Sequence, residues 1–204
     1  MKTMRISVIA VLMLTGGLVL AQQRFDDLVR CDFFAGVSGN KEALDRGMKK
    51  TEEILANEPN HAEAKVWHGS GLMTRSGEAF QKGDYQNGMS LWQQALKEME
   101  QAVQLDPTNV GVLIPRGAVL ITASRFTPPE MGKPILEVGV ADFEKVLKLQ
   151  EAYFSSLGTH PRGELLTGIA EGWSRLGNQD KARQYFERIA SELSGSVYEQ
   201  KARA

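Results

Sequence analysis

The side chains able to do chemistry are few: three histidines, a single cysteine and no clustering of the two. His61 and His68 are seven residues apart, so on a helix they share a face but stand two turns from each other. That spacing does not hold one metal between them, and neither a cysteine nor the third histidine is near in sequence. His-Glu-x-x-His, Cys-x-x-Cys, Gly-x-Ser-x-Gly and the phosphate-binding loop are all missing. Gly69-Ser70-Gly71 has no strand before it to make a nucleotide loop. The sequence therefore predicts neither a cofactor, a metal nor an enzyme. Two polar residues still stand out. His68 precedes Gly69, and Arg116 precedes Gly117; each glycine lies ten residues beyond a proline, Pro59 or Pro107. Charges next to a packing glycine have two readings. Either a carboxylate such as Glu98 or Glu100 satisfies them, or they open into a pocket that takes an anion, closed by His160 and Arg162. Arg125 and Phe126, in a proline-rich stretch, form a second candidate pair.

The elements that must position these residues read as helices. Three segments close with similar cadence, Glu53–Pro59, Gln101–Pro107 and Lys145–Glu151, and in two of them a proline ends the run. Leu44, Met48, Ile54 and Leu55 make an apolar stripe, as do Leu91, Trp92, Leu96, Met99 and Val103. No stretch alternates with a period of two, so the chain is all-α. Pro115 predicts a helix that begins or bends there.

From Ala170 the chain runs Trp173, Leu176-Gly177, Ala182 and Phe186, a spacing that resembles the tetratricopeptide repeat (TPR), a hairpin of two antiparallel helices. Gly83-Asp84-Tyr85, Ala95, Met99, Ala102 and Pro107 match it in an earlier repeat, and Gly139, Phe143 and Val146 in the one between; Phe34-Ala35, Gly47, Ile54 and Pro59 form the first. The resemblance implies a right-handed solenoid of about four hairpins, roughly 24–59, 60–107, 108–151 and 160–194, within a domain over 22–204. It also implies core positions at Phe34 and Ile169. A groove along the first helices of the hairpins would include Glu63, Val66, Ser70, Met73, Ile121, Thr167, Glu171, Ser174 and Arg175. Met73, Arg125, Phe126, Glu171 and Arg175 are its candidate partner-binding residues. The helix-ending positions Pro59, Pro107, Glu151 and Ser194 are 48, 44 and 43 residues apart, against 34 in the family. In the second hairpin the excess falls evenly before and after Gly83-Asp84-Tyr85, which lengthens both arms. Elsewhere it predicts two loops, Ser124–Pro134 with its three prolines and Ala152–Pro161.

Residues 1–21 have the basic start (Lys2, Arg5), apolar run (Ile6–Leu20) and small-residue end (Ala21) of a cleavable signal peptide. The expected mature chain is periplasmic or secreted, carries a formal charge of −3, and has no basic run to bind nucleic acid or an anionic membrane. Cys31 is expected half-buried beside the stripe of Phe25, Leu28, Val29 and Phe33. Together these readings give an exported scaffold or adaptor for a protein partner. The alternative is a periplasmic component that binds a small anionic ligand in connection with solute transport.

Overall fold

The computed structural model describes residues 24–203, and these contain nine α-helices and no strand. The helices pair in sequence: α1 (Phe25–Val37) with α2 (Lys41–Asn57), α3 (Ala62–Gln81) with α4 (Tyr85–Leu105), α5 (Val110–Ala123) with α6 (Pro129–Gln150), and α7 (Thr159–Arg175) with α8 (Gln179–Glu192). A short α9 (Val197–Arg203) packs on α7 and α8. The chain is thus an all-α helical repeat of four hairpins in which each hairpin stacks on the next. The second hairpin is the elongated one, with arms of 20 and 21 residues against 17 and 14 in the fourth.

One local device builds three of the four hairpin turns. Gly39, Gly83 and Gly177 take positive φ values of 101, 78 and 83°, which an L side chain rarely adopts. The next residue, Asn40, Asp84 or Asn178, sends its backbone N–H back to the helix just ended and accepts from the helix just begun. Two further caps start the helices that open the second and third hairpins. His61 accepts from Ala64 through Nδ1 at 3.1 Å, and Asn109 accepts from Gly111 at 2.8 Å.

The third hairpin departs from the expected course. α6 starts at Pro129, so the predicted loop shrinks to Ser124–Pro128 and Pro134 lies inside the helix. Pro129 occupies the first turn, where its missing N–H costs nothing. Beyond Pro134, the stripe of Ile135, Leu136, Val140 and Phe143 buries itself and carries the helix through. The second expected loop is mostly a 3-10 stretch, Glu151–Ser156, and Pro161 lies in the first turn of α7. Pro115 likewise neither starts nor ends α5, which begins five residues earlier on its Asn109 cap.

Two apolar clusters fill the interior. Phe33, Met48, Trp67, Trp92 and Met99 centre the first, and Leu113, Phe143, Leu166 and Ile169 the second. The half-buried Val103 packs against both. Cys31 is exposed, because Phe25, Val29 and Phe33 set the buried side of α1 and residue 31 faces away from it. Phe34 is also exposed, at 62%. The core position expected for it belongs to Phe33, one residue earlier. Residues 1–21, read as a signal peptide, lie outside the described residues. Among the described residues no helix is long and apolar enough to cross a membrane.

Candidate functional site

The glycines beside His68 and Arg116 sit where helices cross. A Cβ on Gly69 would meet Met99 at 2.9 Å and the Ala95 carbonyl oxygen at 3.1 Å; one on Gly117 would meet the Phe143 ring at 2.5 Å. The side chains next to them find carboxylates on the other helix of the same hairpin and on the hairpin before it. His68 Nδ1 lies 2.5 Å from Glu98 on α4, and its Nε2 lies 3.6 Å from Glu52 on α2. Arg116 donates from Nε and Nη2 to the two oxygens of Asp142, both at 2.7 Å, and from Nη1 to Glu100 at 2.9 Å. Arg116 is 7% exposed and Asp142 4%. Burial works against the guanidinium charge, but Asp142 and then Glu100 more than restore it, so its pKa lies above the ordinary value. These donors are spent inside the fold.

His160 and Arg162 are held elsewhere. His160 Nδ1 is 2.6 Å from the Tyr198 hydroxyl, which also donates to Glu164. Arg162 bonds Glu192 on α8 and lies over the Phe154 ring. The four residues expected to close one anion pocket therefore divide into four separate networks with no partner in common. Among the described residues, no group of three or more His, Cys, Asp or Glu side chains is arranged to hold a metal ion.

The second candidate set does come together. A half-open groove of about 540 Å³ runs across the C-terminal halves of α1, α3 and α5. Phe34 and Val37 form one wall. Met73, Gly77, Phe80 and Trp92 make the floor, and Val119, Ala123 and Phe126 the far wall. No charged side chain lines it. Phe126, on the α5–α6 connection, is 84% exposed. Its loop is pinned twice by α7. Arg175 on α7 donates to the Ile121 carbonyl at 3.2 Å and to Ser124 Oγ at 2.8 Å, satisfying the end of α5, while Arg125 pairs with Glu171 on α7. Met73 and Phe126 thus line the groove, and Arg125, Glu171 and Arg175 hold its rim. Val66, Ser70 and Ile121, expected on a groove, are buried in helix packing.

The sequence reading missed Phe34, Val37, Phe80, Trp92 and Val119 as groove residues. The available signal was the adjacent pair Phe33-Phe34, of which a helix can bury only one against a given neighbour. The small lining residues Gly77, Ala118 and Ala123 carry no signal at all in a single sequence.

No family model matches the chain, and no curated protein matches it. Among solved structures, the N-terminal domain of stress-induced protein-1 (STI-1) from C. elegans is similar at 15% sequence identity and a TM-score of 0.40, over 69% of this chain and 95% of that one.

Proposed function

We propose that this chain is an exported, non-catalytic scaffold that binds a partner protein through the groove across α1, α3 and α5. One observation carries the reading. An uncharged, half-open apolar groove is left uncovered, with Phe34 and Phe126 exposed on its opposite walls. Exposed apolar patches of this kind mark interaction sites in soluble proteins. The residues that would argue for a small anionic ligand, His68 and Arg116, have carboxylates of the same chain in hydrogen-bond reach, so nothing favours the solute-binding alternative. Export rests on the tripartite pattern of residues 1–21. The test is affinity capture from the envelope of the exporting cell, with the protein compared with a Phe34→Asp/Phe126→Asp variant. A protein retained by the wild type and lost by the variant is the expected result. Equal retention by both would remove the groove as the binding surface.

A further inference from the structure

The proposed function leaves open what kind of element the groove receives, and the inference here rests on that reading. The walls offer almost nothing to a peptide backbone. Three of their five polar side chains turn back onto their own helices. Ser38 donates to the Phe34 carbonyl at 2.9 Å, Thr74 to Ser70 at 3.1 Å and Thr127 to Ala123 at 3.2 Å. Gln81 and Thr122 are left. Most main-chain groups of the walls are engaged, within the helices or, in the last turns, by the residues that follow them and by Arg175. An extended segment pressed into this groove would bury its own N–H and C=O groups without partners, at the full cost of desolvating each one. A helix brings its backbone bonds already made and presents only side chains.

One end of the trough is charged. A second cavity of about 510 Å³ shares Val37, Thr74, Gly77 and Gln81 with the groove and is lined further on by Lys41, Glu78 and Lys82. Glu78 lies 3.8 Å from Lys82. Lys41 makes no ion pair among the described residues. The excess of one positive charge favours an acidic residue over that end. Gly77 lies on the boundary, and a Cβ added there would meet nothing within 4 Å.

We infer that the groove receives an amphipathic α-helix of a partner protein, its apolar stripe against Phe34, Met73, Trp92 and Phe126 and an acidic residue toward Lys41 and Lys82.

The test uses synthetic peptides of about sixteen residues. One carries leucines at helical spacing and two glutamates at one end. A second has the same composition with the leucines at alternate positions, the period of a strand. A third replaces the glutamates with lysines. Binding is read by calorimetry and by the fluorescence of Trp92. The helical peptide should bind one to one, at least about tenfold tighter than the strand-period peptide and tighter than its lysine version. Gly77→Leu, whose Cβ meets nothing within 4 Å and whose side chain adds bulk to the groove, should weaken it by about tenfold or more with the circular dichroism unchanged. Equal or tighter binding of the strand-period peptide, equal binding of the lysine version, or indifference to Gly77→Leu would each overturn the inference. So would saturable binding of sodium dodecanoate in the groove with no peptide bound. Capture from the envelope separates the two levels. If the Phe34→Asp/Phe126→Asp variant loses its partner while the helical peptide fails to bind, the helix is wrong and the scaffold stands. If capture ignores that substitution, the scaffold reading falls with it.

Discussion

Arg116 and Asp142 form a buried pair with two parallel hydrogen bonds, and its energetics depend on which half is removed. Arg116→Leu supplies an apolar side chain of fair size but strands the Asp142 carboxylate, and removing one partner of such a pair costs about 3–5 kcal/mol. Replacing both, Arg116→Leu with Asp142→Leu, should recover most of that loss. Urea midpoints of the two variants check this, and a double variant no better than the single would show the pair to be stabilising in itself. Glu98 behaves differently. Burial alone would raise its carboxyl, but hydrogen bonds from His68 and then Gln94 outweigh burial, and the folded value lies below the ordinary 4.5. A carboxyl depressed by folding contributes stability that is present above the unfolded value and is lost as pH falls through the folded one. Glu98→Gln should therefore reduce the stability lost between about pH 7 and pH 3.5. The measurement is the shift in urea midpoint between those conditions, and an unchanged shift would mean that the His68–Glu98 contact adds nothing to folding. That His68 and Arg116 would meet Glu98 or Glu100 was legible in the sequence, because a buried polar or charged group needs a partner and these carboxylates lie on the neighbouring helix. The pairing with Asp142 was not, since it depends on how α5 and α6 pack against each other.

At the scale of the element, the hairpin turns at Gly83 and Gly177 were the most readable part of the chain. Gly-Asn and Gly-Asp carry their conformation in their own backbone preferences, whatever packs around them. Proline misled for the opposite reason. Its penalty is local, about 3 kcal/mol in a helix interior, and the burial of Ile135, Leu136, Val140 and Phe143 exceeds it without showing in the local pattern. The groove failed to show for a related reason: it is made of C-terminal halves of three helices, and a one-residue error in the phase of α1 exchanges Phe33 for Phe34. Glycines divide along the same line between local and tertiary causes. A Cβ added at Gly117 would meet Phe143 at 2.5 Å and the Gly139 carbonyl oxygen at 3.1 Å, so Gly117→Ala should separate α5 from α6 and cost about 1–3 kcal/mol. Gly77, with open space before it, should respond to alanine by gaining up to about 1 kcal/mol. Thermal melts of the two variants should move in opposite directions, and a stabilised Gly117→Ala would mean that the hairpin yields at the crossing.

For the whole molecule, the division of the core into two clusters sets how disturbance spreads. Each hairpin packs on its sequence neighbours, and the first and last are not among the packed pairs. Stability in such a stack is close to a sum of units and nearest-neighbour interfaces. Met48 lies fully within the first cluster and Leu166 within the second, both essentially inaccessible to solvent. Truncating either to alanine should cost about 2–5 kcal/mol in its own cluster. If neighbours alone transmit the loss, Met48→Ala should speed amide exchange through α1, α2 and α3 and leave α7 and α8 close to wild type, with Leu166→Ala doing the reverse. The half-buried Val103 touches both clusters, so α4 is where the two effects should overlap. Equal acceleration of every helix by either substitution would mean that the four hairpins unfold as a single unit. The groove would then be as rigid as the core beneath it. Under the neighbour-limited outcome its two walls belong to units that can loosen separately, because Phe34 stands on the first hairpin and Phe126 on the third. Occupation of the groove would tie those units together. A bound partner should therefore slow exchange in α1 and α5 more than in α7, although α7 carries the arginine that pins the rim.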